Sequence, residues 1–242
     1  MTQAAGPVRV LVTGFGPFPG IPNNASASIA LAIQHAAAMP GVDITTAIIP
    51  VVWSEARAVA RAAVARFKPH AIVHFGVSRR AAGFEIEARA FNMHGPKEDH
   101  AGEVRPETPL VSGGQDVLLA TAPPLHLHEA LTREGFPAAI SQDAGRYLCN
   151  ALFYWSLCDA EAERRLVSFV HLPAFGIERE KPPSLTLEEA VAGGRILVRA
   201  AAEAVLRANR NGLGQGEGSI GDGSQTLHRD KRDGGSPARH GG

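Results

Sequence analysis

Three residue types that can share acyl-transfer chemistry stand at informative places in this sequence. The segment Ala144-Gly145-Arg146-Tyr147-Leu148-Cys149-Asn150 puts a cysteine in the first turn or two of a helix read over residues 145–157, after a tight turn at Asp143-Ala144-Gly145. Unpaired N–H groups and the helix dipole at that end favour a thiolate over a thiol. A thiolate is the nucleophile that attack on an amide carbonyl needs, and the same N–H groups can hold the oxyanion that develops. The competing reading of Cys149 is a small core residue, because free cysteine is among the most often buried types. Cys158 sits near the opposite end of that helix, where the dipole opposes a thiolate, and reads as core.

His171 closes the apolar run that begins at Val167. In open α/β sheets, sites gather at the carboxyl ends of strands. A histidine there, one crossover after a helix-borne cysteine, is placed to take its proton. It is one of 10 histidines, so a hydrogen-bonded core histidine is the alternative. A base also needs a group to orient it. Glu85 and Glu87 share one face of a strand read over residues 84–91, with Arg89 beside them. Periodicity does not choose between the two glutamates, and a solvated, salt-bridged face accounts for both equally well. His126 and His128 are spaced like a metal pair, but no further ligand cluster joins them, so no metal site is read.

The elements that must position these residues follow from hydrophobic pattern and turn signals. Strands are expected at residues 8–13, 44–52, 71–76, 84–91, 138–141 and 166–171. Helices are expected at 26–39, capped by Ser26, and at 54–67, 125–134, 145–157 and 186–208. The alternation of strand and helix predicts an α/β protein with a mostly parallel sheet covered on both faces. Residues 94–114 read as loop. The first strand ends in Gly14-Phe15-Gly16-Pro17-Phe18-Pro19-Gly20, where a phosphate-binding loop would sit. The glycine spacing departs from GxGxxG and the prolines remove N–H donors, so a nucleotide site is disfavoured. Two exposed phenylalanines on a rigid loop suit a small apolar pocket instead, or simply anchor the loop.

Composition narrows the classes. The chain has 242 residues and is 45% hydrophobic, enough for a sizeable core. Lys+Arg and Asp+Glu both number 24, a balance that argues against a nucleic-acid partner. The 2 cysteines form neither a disulfide scaffold nor a zinc array. No stretch reaches the ~18 apolar residues of a membrane span, and no signal peptide is read, so a cytoplasmic protein is expected. Residues 1–208 read as one domain. The remaining 209–242 are rich in glycine and lack aromatics, and are expected to be disordered.

Four blocks, in order, resemble the pyroglutamyl peptidase I (pyrrolidone-carboxylate peptidase) family of cysteine peptidases. They are Val10-Leu11-Val12-Thr13-Gly14-Phe15-Gly16-Pro17-Phe18 with Asn24-Ala25-Ser26, then Glu87-Ala88-Arg89-Ala90-Phe91-Asn92, then the Cys149 segment above, and then Phe169-Val170-His171-Leu172-Pro173. The resemblance implies a three-layer α/β/α sandwich with a doubly wound sheet. It implies the catalytic set Glu87, Cys149 and His171, which selects Glu87 over Glu85. Phe15 and Phe18 fall where the family holds the pyrrolidone ring, with Asn24 and Val77 as further substrate-binding positions. No cofactor is implied, and relatives are often homo-oligomers, tetramers or dimers. The chain departs from the family at Gly76-Val77, where Gly-Gln is common, and through Ser78–Gly83. It departs also at Pro19-Gly20 and Ala25, and Lys97 lies nearest the place of a family arginine.

The resulting expectation is a cysteine exopeptidase acting on peptides blocked by an N-terminal pyroglutamyl residue. Two alternatives stand beside it. One is the same Cys-His-Glu chemistry on another small N-acyl amide or lactam; the other is a non-catalytic binding protein on this scaffold.

Overall fold

A computed structural model of the chain describes residues 6–18, 21–176 and 183–214, with side chains described as far as residue 211. In order, the elements are β1 (Val8–Phe15), α1 (Ala25–His35), β2 (Val42–Ile49), α2 (Ala56–Phe67), β3 (Ala71–Ser78), β4 (Phe84–Glu87), β5 (Arg89–Phe91), β6 (Val117–Leu119), α3 (Pro124–Arg133), β7 (Ala138–Ser141), α4 (Leu148–Ala160), β8 (Leu166–Pro173) and α5 (Leu187–Gly214).

Six strands form one sheet in the order β2-β1-β3-β8-β4-β7, and β5 and β6 form a small antiparallel pair beside it. The ladders β1–β2, β1–β3, β3–β8 and β4–β7 are parallel, whereas β4 runs antiparallel to β8. The reversal follows from chain length. Residues 79–83 separate β3 from β4, too few for the crossover that a parallel return needs. The chain turns back instead, and β8 later occupies the slot between the two strands.

Alternation along the strands divides the core into two layers. Val10, Val12, Val73 and Phe75 face Ile29, Ile33, Leu127 and Leu197 on one side. Leu11, Ile72, Val167 and Phe169 face Trp53, Leu152, Phe153 and Tyr154 on the other. A helix buried nearly all round sits inside a protein rather than on its surface, and α4 is one: Leu148 and the stretch from Asn150 to Leu157 are buried. A polar chain of two hydrogen bonds crosses this interior. His74 places Nδ1 2.7 Å from Thr13 Oγ1 and Nε2 3.0 Å from Ser156 Oγ. Burial pushes its pKa down to about 3, so the ring is neutral.

The expected α/β architecture holds, with differences that have physical causes. The strand read over 84–91 breaks at Ala88, whose N–H bonds Ser141 O while Ala120 N bonds its carbonyl; the chain leaves the main sheet there to pair with β6 as β5. Asn24, not Ser26, caps α1: its side chain accepts from Ser26 N at 3.2 Å. Phe15 belongs to β1 and is only 3% exposed, so it is not an exposed loop residue. The helix holding Cys149 begins at Leu148 rather than at Gly145, which instead takes a positive φ of 83° in the preceding turn. The last helix begins with a capping box, Thr186 N to Glu189 Oε2 at 2.7 Å and Glu189 N to Thr186 Oγ1 at 3.1 Å. It continues to Gly214, so residues 209–214, assigned above to a disordered tail, are helical. Residues 215–242, the rest of that tail, lie outside the described residues, as do Pro19 and Gly20. No described helix is long and apolar enough to cross a membrane.

Candidate active site

The site sits where α4 begins, above the carboxyl end of β8. Its first component is an uncapped helix. Tyr147 takes the N-cap position of α4 with no side-chain cap hydrogen bond. The first N–H groups of a helix have no intrahelical acceptor, so those beside Cys149 remain free to serve a ligand. A Ser, Thr, Asp or Asn at that position would have consumed one of them. The turn before the helix is fixed locally. Gly145 N donates to Asp143 Oδ1 at 3.0 Å, and the Arg146 guanidinium lies 2.6 Å from that oxygen. The helix itself is held by Asn150, whose amide donates to Phe91 O and Met93 O and accepts from Phe91 N, each within 2.9 Å.

Cys149 is the second residue of α4 and is half-buried. Gly76 lies beneath it. A Cβ at that glycine would stand 3.0 Å from the Cys149 sulfur and 2.8 Å from Phe169 Cζ, so a side chain there would crowd that sulfur. Gly76 is also the register partner of His171 across β3 and β8. The sheet thereby brings sulfur and imidazole together.

His171 is 6% exposed and Glu87 1%. His171 Nδ1 donates to Glu87 Oε1 at 2.6 Å, and Cys149 is the other side chain that acts on the ring. Burial alone would lower the His171 pKa. Hydrogen bonds to Cys149 and Glu87, and the negative charge on both, outweigh it and push it up to about 10. The ring therefore holds its proton more tightly than a free imidazole does. Of the two glutamates on the β4 face, Glu87 is the enclosed one and Glu85 is partly exposed. A solvated salt-bridged face does not describe Glu87.

Phe15, Phe18, Asn24, Val77, Glu87, Cys149 and His171, all expected from the sequence, line one cleft of about 780 Å³. Their parts in it differ. Phe15 packs 6.4 Å from Phe169, and Phe18 6.4 Å from Tyr147, centroid to centroid. Asn24 is committed to the backbone: it holds Ser26 through Oδ1 and donates to Gly16 O at 3.0 Å, while Ser26 Oγ accepts from Phe15 N at 2.9 Å. It therefore fixes the end of β1 that presents Phe15. Val77 is half-buried at the end of β3.

Sequence reasoning missed the remaining walls, among them Ile21, Val51, Tyr147 and Leu148. Tyr147 has the clearest role. Its hydroxyl donates to Glu98 O at 2.9 Å, Trp53 meets it edge-on at 5.6 Å, and Lys97 Nζ lies 4.4 Å from its ring centroid. Burial first, then the charges of Asp99, Cys149 and Glu98, push its pKa up to about 12. Its position within the Cys149 segment was the available signal. Glu85, Glu87 and His171 are the one convergent set of potential metal ligands among the described residues, their ligand atoms within 4.8 Å of one another. The Glu87–His171 hydrogen bond already occupies Nδ1, so a cation would have to break that pair. His126 and His128 lie on α3, where His126 reaches Ala200 O and Arg207.

Comparison with known proteins identifies the family. The family model for pyroglutamyl peptidase matches residues 8–207. Pyrrolidone-carboxylate peptidase 1 of Ralstonia nicotianae is 33% identical over 196 residues, covering 78% of this chain and 90% of that protein. The pyrrolidone-carboxylate peptidase of Pyrococcus furiosus is 28% identical over 214 residues, covering 82% and 100%. Among solved structures, pyroglutamyl peptidase I of Bacillus amyloliquefaciens superposes with a TM-score of 0.76 at 27% identity, covering 81% of this chain and 97% of that one. A chain with this sheet, this cleft and a model match over nearly all of its described residues belongs to the pyroglutamyl peptidase family.

Proposed function

We propose that the protein is a cysteine exopeptidase that hydrolyses the amide bond after an N-terminal pyroglutamyl residue, with Cys149 as nucleophile, His171 as general base and acid, and Glu87 as the group that orients His171. The observation that carries the reading is the buried Glu87–His171 pair reaching Cys149 at the head of an uncapped helix, inside a cleft.

Pyroglutamate carries no charged amine, so its ring can enter an apolar slot without an unpaired buried charge. Phe15 and Phe18 supply such a slot beside Cys149. The thiolate attacks the acyl carbonyl, and His171 carries the proton taken from the sulfur. Free N–H groups at the start of α4 receive the oxyanion; each such donor is worth about 10²–10³ in rate. His171 then protonates the leaving amine as the thioester forms. Part of what raises the His171 pKa is the sulfur's own hydrogen bond and charge. Both are consumed as the C–S bond forms, so the imidazolium becomes a stronger acid at the step that needs one. Water, deprotonated by His171, releases pyroglutamate in the second half. Glu87 keeps the imidazole in the orientation that serves Cys149 throughout.

A second reading keeps this chemistry and changes the blocking group to another small N-acyl amide or lactam. It is supported by Val77, which lines the cleft at a place where the family commonly carries glutamine. The reading also includes a cytoplasmic location, supported by a nucleophile that must stay a free thiol, and a homo-oligomer, which sedimentation would establish. The test of function is hydrolysis of a pyroglutamyl arylamide. Wild-type protein is expected to release the arylamine, and Cys149→Ala to release none while keeping its fold by circular dichroism. Full activity in the variant would sink the reading. Turnover of a different blocking group with none for pyroglutamyl would move it to the second form.

A further inference from the structure

The end of the cleft beyond His171 carries a cationic rim that the chemistry above does not use. Arg79 and Arg80 line the cleft and are exposed. Neither has an ion-pair partner among the described residues. The carboxylates on the same walls are already engaged: Glu87 with His171, Asp143 with Arg146, and Glu85 in a contact of its own. Among the described residues the two guanidiniums are unpaired positive charge at this end of the cleft, whereas Lys97, the other cation of the lining, sits over the Phe18 and Tyr147 rings.

Topology fixes where they stand. In the sheet β8 lies between β3 and β4, so residues 79–83, which join β3 to β4, must pass over the end of β8, the strand that holds His171. The turn is anchored. Ala81 is fully buried, Arg80 N donates to Ser78 Oγ at 3.2 Å, Ala174 N to Ser78 O at 3.2 Å, and Ser184 N to Ala82 O at 2.8 Å. Two charges on an anchored turn cost less entropy to engage than charges on a loose loop.

Direction across the site follows from the proton. The apolar slot lies toward β1, where Phe15 and Phe18 stand, and the leaving amine must face His171 to be protonated. The peptide beyond the scissile bond then runs toward β8 and β4, beneath the Arg79–Arg80 turn. We propose that Arg79 and Arg80 make the enzyme prefer peptides with an acidic side chain in the first two residues after the pyroglutamyl group. This inference rests on the function proposed above and deepens it, by naming the peptides that the site takes.

The test compares kcat/KM for pyroglutamyl tripeptide amides whose second or third residue is Glu, Ala or Lys. The glutamate peptides are expected to exceed the lysine peptides about tenfold at low salt, since each exposed ion pair contributes modestly and two act together. The ratio is expected to shrink at 0.5 M salt as the charges are screened. In the double variant Arg79→Glu/Arg80→Glu the Glu-to-Lys ratio is expected to invert, and a general loss of activity cancels from that ratio. Equal rates for all three side chains in the wild type, or an unchanged preference in the double variant, would overturn the inference alone. No turnover of any pyroglutamyl peptide by folded protein would instead overturn the function beneath it.

Discussion

Two histidines occupy neighbouring strands of the same sheet, both almost wholly enclosed, and their pKa values are displaced in opposite directions. His74 on β3 is 1% exposed and its pKa falls to about 3; His171 on β8 is 6% exposed and its pKa rises to about 10. Burial acts in the same direction on both, against the imidazolium. What separates them is the partner. His74 meets two hydroxyls, Thr13 and Ser156, which satisfy a neutral ring and offer no charge. His171 meets a carboxylate and a sulfur. Enclosure therefore removes competing water at both places, and the chemistry next door decides whether the result is a piece of core or a reactive group.

The severest way to break the contrast is to delete the reactive ring. His171→Ala is expected to lower pyroglutamyl arylamide hydrolysis by at least ~10³-fold. It strands Glu87 as a buried charge, so it is also expected to cost about 3–5 kcal/mol in urea denaturation. A stability equal to wild type would mean that Glu87 is not ionised in the fold.

Making the surroundings of His171 more like those of His74 is the next test. Glu87→Gln keeps the shape and removes the charge. Activity is expected to fall roughly 10²- to 10⁴-fold, and the His171 titration, followed by NMR of the ring, to move down from about 10. With the wild-type pKa raised, the stability that the pair contributes is fully present below the unfolded value near 6.5. It is lost as pH rises through about 10. Denaturation midpoints between pH 7 and 10.5 are expected to show that loss in wild type and not in Glu87→Gln.

Gly76→Ala perturbs the sulfur and the neighbouring Phe169 ring. The added carbon would meet the Cys149 sulfur at 3.0 Å and Phe169 at 2.8 Å, so kcat is expected to drop about tenfold or more from misplacement of the nucleophile. KM is expected to move less. An unchanged kcat would show that the sulfur has room to yield.

The smallest effect belongs to His74, where the sign is opposite. Its pKa is depressed, so below about 6.5 the unfolded chain binds a proton that the folded chain refuses. Stability falls with decreasing pH from 6.5 toward 3, by at most about 1.4 kcal/mol per pH unit. A His74→Gln variant is expected to lose this acid sensitivity, a difference of ~1–2 kcal/mol between pH 6.5 and 4.5 in parallel urea titrations.

Much of this arrangement can be read from residue patterns, and the boundary of what can be read has physical causes. The alternation of strands and helices is carried by local periodicity, and β7 lies where Ala138–Ser141 was expected. Cys149 and His171 were legible because each lies within two residues of an element's end, at the edge where parallel sheets gather their sites. Glu87 was not separable from Glu85 by spacing, because both point the same way from one strand; enclosure and the hydrogen bond to His171 distinguish Glu87, and both are tertiary properties. The break at Ala88 and the three-residue strand β6 were invisible for a similar reason: neither carries enough residues for a period to register. The role of Asn24 was concealed differently. Its neighbour Ser26 is an equally good capping residue by type, and only the path of the chain assigns the cap to one and the support of Phe15 to the other.

The position of β8 has a consequence for how the protein comes into being. The strand added last to the sheet is one of its innermost, and it must slide between two partners joined by the short 79–83 turn. Until those residues have been synthesised, β3 and β4 have an empty lane between them, and neither the sulfur nor the carboxylate has its imidazole. Such distant pairing slows folding. With His171 acting as proposed above, a growing chain stays inert until β8 has joined the sheet.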